Sequence, residues 1–303
     1  MIESFSPDAG EPFRVSDALE AGLSRAQLRA GDWAVPFWGI RSHTDDDDVR
    51  SRCDAFLPRM PARGFYFGVT AAVLHGIPVP RRKETRMLDI GVSAGTRRVD
   101  ARGVVAHHVI IDERDLTTIG RLPITSPART WCDLAASGLQ RHEVAAAGDR
   151  ILWQRDPLGT ISDLRATLAR YEGRRGTKLM RDVLPILSDG SDSRRETWLR
   201  VLILDAGLPT PTVQAEVANS RGHVIGHCDL GWPELRIGAE YEGDHHRTDR
   251  KQWNYDIRRY RDMEAAGWII IRISAADLVD ARARADLVQR LRTTIAARVR
   301  TSP

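Results

Sequence analysis

The chain has 303 residues, of which 42% are hydrophobic and 28% are charged, and its formal net charge is +4. This length exceeds the usual size of one compact domain, so we expect two or three domains, and no stretch is apolar enough for a membrane protein. The first residues lack the features of a secretory signal, and the three cysteines, Cys53, Cys132 and Cys228, are too scattered for a disulfide framework. We therefore expect a reduced, cytoplasmic protein.

Two short helices are predicted near the N-terminus. Ser16 is the expected N-cap of the first helix, and the second runs from an N-cap at Ser24 to Gly31. A strand-like segment, WAVPFWGIR, follows. This order is typical of a winged helix-turn-helix. Arg25 and Arg29 share a face of the second helix that suits phosphate or a guanine edge, although a solvated basic face explains the same spacing.

The middle of the chain is predicted to mix helices and strands. His107 and His108 are adjacent in one strand-like stretch and therefore face opposite sides, which argues against joint metal ligation. The polar run SDGSDSRR indicates a linker, and we place a domain boundary near Asp189. The predicted ranges are a helix-turn-helix region at 1–50, a mixed α/β and helical region at 51–188, and a third domain at 189–303.

The third domain has a readable order of elements. We predict a helix from Ser193 to Ala206, strands in TVQAEVAN, VIGHCDLGW and LRIGAEYEG, a helix from about Asp249 to Ala266, and the strand WIIIRI. The short segments SRG and WPE between the first three strands favour antiparallel hairpins. The order is therefore α-β-β-β-α-β.

Acidic residues mark these strands. Asp229 lies near the end of the second strand, and Glu240 and Glu242 lie two residues apart on the third, so the latter share a face. Like charges in one cleft raise each other's pKa, so a divalent cation is expected, and oxygen ligands favour Mg²⁺ or Mn²⁺. Glu196, on the preceding helix, is the fourth acid; the alternative is a surface pair with Arg200.

The segment EYEGDHH, with Asp256, Arg259 and the strand WIIIRI, resembles the very-short-patch-repair endonucleases, a branch of the PD-(D/E)XK nucleases. That family closes a strand with acid-x-acid-Gly-x-x-His, carries Asp-x-x-Arg on a helix, and follows it with an aliphatic strand ending in Arg. The resemblance implies a restriction-endonuclease-like core, DNA as substrate and Mg²⁺ as cofactor. It also implies site residues at Glu196, Gln214, Asp229, Glu240, Glu242, His246, Asp256, Arg259 and Arg272.

One position departs from the broad superfamily pattern. Glu242 stands where that pattern has a Lys, which normally orients the water nucleophile and offsets developing negative charge. The closer family also carries an acid here. We assign His246 to orienting water or protonating the leaving oxygen, and Lys251 or Arg259 to stabilising the charge of the transition state. Glu196, Asp229 and Glu240 are the predicted metal ligands.

A zinc site is an alternative for the same segment. Soft ligands occur in a short window at His223, His227, Cys228, His245 and His246. Adjacent His227 and Cys228 would have to turn to the same side of a strand, and there is no Cys-x-x-Cys, so we favour the oxygen site.

The N-terminal region resembles the type IV antitoxin family associated with abortive phage infection, through AGLSRAQLRAGDW, WGIR, TAAVLHGIP and TSPARTWCDLA. The resemblance implies a winged helix and DNA binding by an autoregulating repressor. It also implies a recognition helix that carries Ser24, Arg25, Gln27 and Arg29.

The sequence therefore predicts a multidomain α/β (α+β) protein with a winged helix-turn-helix, a mixed α/β middle region and a C-terminal PD-(D/E)XK αβββαβ core. The first functional hypothesis is a metal-dependent DNA endonuclease in DNA repair or phage defence. The second is an antitoxin-like transcriptional regulator with an inactive nuclease fold. DNA is the expected partner in both, a toxin or defence-system protein is a further candidate, and double-strand cutting would call for a homodimer.

Overall fold

A computed structural model describes residues 10–43, 46–93, 95–96, 99–219, 221–242 and 250–301, without the side chains of 250–257 and 301. In these ranges the protein is mixed α/β, with three β-sheets. None of the described helices combines the length and apolarity needed to cross a bilayer.

The elements are numbered in chain order. The helices are α1 (Val15–Glu20), α2 (Arg25–Ala30), α3 (Val49–Phe56), α4 (Gly68–Leu74), α5 (Pro127–Ala136), α6 (Arg141–Leu152), α7 (Ile161–Arg170), α8 (Thr177–Val183), α9 (Arg194–Asp205), α10 (Arg250–Ala265), α11 (Ala275–Leu278) and α12 (Ala281–Thr301). The strands are β1 (Phe13–Arg14), β2 (Ile40–Arg41), β3 (Phe65–Tyr66), β4 (Leu88–Val92), β5 (Val104–His108), β6 (Leu116–Ile119), β7 (Leu122–Thr125), β8 (Thr212–Ala218), β9 (Val224–Trp232), β10 (Ile237–Tyr241) and β11 (Ile269–Ile273).

The chain divides into two compact units. Unit 1 contains residues 1–139 and 158–180, and unit 2 contains residues 140–157 and 181–303. The predicted ranges placed 140–157 with the middle of the chain, whereas helix α6 belongs to the C-terminal unit. Tertiary contacts of α6 decide this, and they leave no local signal in the sequence.

Unit 1 begins with the two predicted helices. Ser24 caps α2 as predicted, because its hydroxyl accepts the N–H of Gln27 while the Gln27 side chain accepts the N–H of Ser24. The predicted cap at Ser16 is wrong. Helix α1 already begins at Val15, and the Ser16 hydroxyl donates to the carboxylate of Asp17 at 2.9 Å.

The segment WAVPFWGIR forms less strand than predicted. Only Ile40–Arg41 pairs with β1, and an isolated bridge joins Ala34 to Ser42. Pro36 lies between these points and has no N–H for a strand ladder, so the segment forms a loop there. Phe37 anchors that loop, since it is buried and its ring lies 5.1 Å from that of Phe56.

The larger sheet of unit 1 has the order β5-β4-β3-β7-β6. Its buried side chains include Tyr66, Ile90 and Ile124. His107 and His108 lie on β5 as expected, where His107 lies 3.3 Å from the Asp89 carboxylate and His108 is exposed.

Unit 2 has a sheet of order β11-β10-β9-β8. Strands β8, β9 and β10 form the predicted antiparallel meander, and β11 is parallel to β10. One face packs on α9 and α12 through a cluster that includes Leu230 and Ile271, and the other packs on α10 through Cys228 and Met263. Helix α9 is capped by Ser193, so the predicted α-β-β-β-α-β order is present, followed by α11 and α12.

Helix α6 is held to α9 by a buried ion pair. The Arg200 guanidinium donates to the Asp149 carboxylate and to the carbonyl of Ile186, and the Thr197 hydroxyl donates to Asp149 at 2.7 Å. Both charged side chains are buried, so each depends on the other for compensation. An exposed pair, Arg141 with Asp205, bridges the same two helices.

These two pairs give a stability test. We expect Arg200→Met to lower the free energy of unfolding by ~3 kcal/mol, because it leaves the Asp149 charge buried without its partner. Arg141→Met is the matched control and should cost less than ~1 kcal/mol, since its pair is solvated. Urea denaturation followed by circular dichroism measures both. Equal losses in the two variants would contradict the assignment of Asp149–Arg200 as the pair that holds α6.

Candidate active site

Side chains of strand β9 change from one face of the sheet to the other at Asp229. Leu230 packs in the cluster under α9 and α12, whereas Cys228, two residues earlier, packs in the cluster under α10. Residues two apart lie on one face of a regular strand, so the strand is irregular between them. Gln214 lies between Val213, which pairs with Leu230, and Ala215, which pairs with Cys228, and it has a φ of 49°, a left-handed conformation that is uncommon for a residue other than glycine. The irregularity sets Asp229 between the two faces of the sheet.

Glu196 approaches from the side of α9. It is only 7% exposed, and its carboxylate accepts the N–H of Asp192 at 2.9 Å and the amide of Gln214 at 3.4 Å. Burial, followed by the nearby negative charge of Asp229, raises the pKa of Glu196 to about 7. The alternative of a surface pair with Arg200 is wrong, because both side chains are buried and Arg200 is bound to Asp149.

Asp229 lies between the other acids. It is half-buried, and its Oδ2 accepts the N–H of Tyr241 at 2.7 Å. Burial raises the pKa of Asp229 to about 6; the Tyr241 hydrogen bond opposes this rise, and the negative charge of Glu240 adds to it. Asp229 therefore interacts electrostatically with both Glu196 and Glu240.

Glu240 is held from the side of α10. Arg259 Nη2 donates to its two carboxylate oxygens at 2.8 and 2.7 Å, and the hydroxyl of Tyr260 also donates to it. Arg259 Nη1 donates to the carbonyl of His227 at 3.3 Å. A buried carboxylate that receives these donors is fixed in position.

Glu242 lies one residue beyond the end of β10, although its N–H still donates to the Ile273 carbonyl of β11 at 2.7 Å. Its carboxylate pairs with Arg272. The guanidinium groups of Arg259 and Arg272 lie 5.1 and 5.0 Å from the centre of the Tyr260 ring. Glu240 and Glu242 thus belong to one network of acids, arginines and a tyrosine.

The donor set is suited in kind to a hard cation, since Glu196, Asp229 and Glu240 offer only oxygen. Two of these acids carry raised pKa values that a divalent cation would lower. Within the described ranges, however, no three His, Cys, Asp or Glu side chains are grouped so that they could hold a metal ion. Arg259 binds both oxygens of Glu240 in this arrangement.

The structure does not bring the described soft ligands together. Cys228 is buried, and burial raises the pKa of its thiol well above the ordinary value. His223 and His227 are exposed. His245 and His246 lie outside the described residues.

Other predicted residues lie in unit 1 or in the stretch whose side chains are not described. Arg25 and Arg29 are exposed on α2, in unit 1. Lys251 and Asp256 fall in α10, in the stretch whose side chains are not described.

Sequence reasoning missed Tyr260 and Asp192. Tyr260 follows Arg259 in α10 and donates to Glu240, while the backbone of Asp192, just before the cap of α9, donates to Glu196. The position of Asp192 just before the predicted start of this helix was a usable signal. Nothing local marks Tyr260, because its role depends on how α10 packs on the sheet.

Comparison with known proteins gives relatives without an assigned activity. No family model matches the chain. The uncharacterized Mycobacterium tuberculosis proteins Rv2248 (strain H37Rv) and MT2308 (strain CDC 1551) are each 30% identical to it over 252 residues, 83% of this chain and 89% of theirs. Among solved structures, the RV2827C protein of M. tuberculosis has a TM-score of 0.42 and 17% identity, with 70% of this chain and 80% of that chain covered. That TM-score does not establish a common fold.

The raised pKa of Glu196 has a consequence for stability. The folded state binds this proton more tightly than the unfolded state, so the free energy of unfolding should fall as pH rises from about 4.5 to about 7. We expect Glu196→Gln, measured by urea denaturation in EDTA, to be more stable than wild type by ~2 kcal/mol at about pH 8 and not at about pH 5.

Glu216→Gln is the control for this comparison, because Glu216 is an exposed carboxylate on β8. It should give the same small difference from wild type at both pH values. If Glu196→Gln were equally destabilising at both pH values, the raised pKa of Glu196 would be ruled out.

Proposed function

The chain belongs to the family of the M. tuberculosis proteins Rv2248 and MT2308, and for its C-terminal unit we propose a metal-dependent DNA endonuclease activity. The observation that carries the proposal is the position of Asp229 between Glu196 and Glu240 at the point where the strands change face. Acids with raised pKa values that cluster in this way are typical of functional sites.

The fold of unit 2 supports this proposal by its order of elements. A helix, an antiparallel meander, a second helix and a parallel strand match what the resemblance to very-short-patch-repair and PD-(D/E)XK nucleases implies. For unit 1 we propose that α1, α2 and the β1–β2 pair form a winged helix that holds DNA, as the type IV antitoxin resemblance implies. A role in DNA repair or phage defence follows from these two resemblances.

Glu196, Asp229 and Glu240 would hold Mg²⁺ or Mn²⁺. Such an ion supplies an activated water and offsets negative charge at the scissile phosphate. Glu240 has to be released by Arg259 for this, which leaves a guanidinium beside the site to bind phosphate oxygens. Glu242 takes the position of the usual Lys and cannot supply its positive charge. Arg272 is paired with Glu242, so we assign the role of that Lys to Arg259 once it has left Glu240.

The second candidate function is a DNA-binding transcriptional regulator in which unit 2 has no catalytic role. The ion pairs of the site favour it, because Glu240 and Glu242 are already neutralised by Arg259 and Arg272 without a metal. Such a protein would bind DNA with or without a divalent cation.

Nicking of supercoiled plasmid tests the endonuclease proposal. We expect wild type to nick only with Mg²⁺ or Mn²⁺, and Asp229→Asn to reduce the rate about 100-fold or more, because the variant loses the carboxylate between the other two acids. Isothermal titration should show saturable cation binding that Asp229→Asn weakens.

Glu216→Gln removes an exposed carboxylate from the same sheet and should nick at the wild-type rate. Cleavage that survives in a variant with both Asp229→Asn and Glu240→Gln would contradict the site. DNA binding without nicking at any cation concentration would favour the regulator.

A further inference from the structure

Unit 1 contains a groove that the proposed active site does not use. It encloses about 990 Å³ and is lined by residues from β1, α1, β2 and the segments around Trp38, Arg59 and Asp100. Three arginines, Arg14, Arg41 and Arg59, come from separate parts of the chain to this one groove.

Backbone carbonyls orient the side chains of these three arginines. Arg14 donates to the carbonyl of Pro58, Arg41 to that of Ile40, and Arg59 to that of Trp38. In the described part of the chain, none of the three forms an ion pair with a carboxylate. The described lining of the groove therefore carries three fixed positive charges against the one negative charge of Asp100.

Trp38 gives the groove an aromatic surface. Its side chain is 86% exposed, and the neighbouring Val35 is 58% exposed. The backbone beneath is fixed, since Phe37 is buried and the Trp38 carbonyl accepts from Arg59 at 2.9 Å. A large indole held out in water on an anchored loop is a surface on which a flat ring can stack.

We propose that this groove binds an unpaired stretch of DNA, with phosphates on the three arginines and a base stacked on Trp38. Fixed cations along a groove, together with an exposed aromatic ring, are what single-strand binding requires, and duplex DNA offers no free base face. The inference rests on the proposal that the protein acts on DNA, and it names the substrate class: DNA with a single-stranded region. It places this contact on the β1–β2 side of unit 1 and not on the exposed arginines of α2.

Binding of a fluorescein-labelled oligothymidylate of about 20 nucleotides to the full chain in EDTA tests the groove by fluorescence anisotropy. We expect Trp38→Ala to raise Kd about tenfold, and Trp38→Phe to raise it less than about threefold, because phenylalanine still stacks. Arg41→Gln should reduce the slope of log Kd against log salt by about 0.7, the value of one phosphate contact on a single strand.

Arg165→Gln is the matched control, since it removes the same charge from an exposed position on α7, outside the groove, and should leave Kd within about twofold. Trp38 is solvent-exposed, so its variants should fold like wild type, which circular dichroism checks. Wild-type affinity for the oligothymidylate in Trp38→Ala would overturn the proposal, as would an equal loss of affinity for the matching duplex in that variant, because the duplex has no free base to stack on Trp38. Displacement by polyglutamate as effective as by unlabelled oligothymidylate would instead indicate an acidic protein partner.

The binding assay needs no metal and no cleavage. If the oligothymidylate binds in a Trp38-dependent manner and plasmid is never nicked, the endonuclease proposal fails and the proposal of a single-strand binding groove stands. If plasmid is nicked with Mg²⁺ and Trp38→Ala binds the oligothymidylate like wild type, the proposal of a single-strand binding groove fails and the endonuclease proposal stands.

Discussion

Carboxylates that share a partly buried cleft repel one another, and burial adds a desolvation cost to each charge. In unit 2 this cost is visible at Glu196 and Asp229, whose pKa values rise to about 7 and about 6. The surrounding structure offsets it with donors from several elements: a backbone N–H for Asp229, and a backbone N–H and the Gln214 amide for Glu196. Glu240 has the strongest donors, an arginine and a tyrosine from α10. The two sides of the site therefore differ. On the α10 side the carboxylate of Glu240 is paired with an arginine, whereas Glu196 and Asp229 accept hydrogen bonds from neutral donors.

The backbone at Gln214 makes this arrangement possible. A residue with a side chain pays on the order of 1 kcal/mol to adopt a left-handed conformation, and such strain persists where the surrounding structure requires it. A regular strand would direct Asp229 to one face of the sheet, where it could meet either α9 or α10. Because the strands change face beside Gln214, Asp229 lies near Glu196 of α9 and near Glu240 of β10, which side chains of α10 bind. Local strain in one residue thus brings Glu196 and Glu240 to a common neighbour.

Features of the sequence that act locally were predictable. The N-caps at Ser24 and Ser193 follow from side-chain chemistry within a few residues, and the meander follows from short turns between alternating strands. The acids on β9 and β10 could be assigned to strands by the same reasoning. The face change could not, because it depends on the φ of Gln214, nor could the arginine partners of Glu240 and Glu242, because they depend on how α10 and β11 pack. Membership of 140–157 in unit 2 is likewise a property of tertiary contacts.

The two candidate functions differ in what becomes of the pair between Glu240 and Arg259. Separating a buried ion pair without replacement costs about 3–5 kcal/mol, so Glu240 stays bound to Arg259 unless new partners replace the pair. A nuclease overcomes this only if both are rebound together: Glu240 to a cation, and Arg259 to a phosphate oxygen of the DNA. Cation and DNA would then bind cooperatively, since each provides one of the two replacement partners. A regulator has no such exchange, and in it Arg259 and Tyr260 serve to keep Glu240 in place permanently.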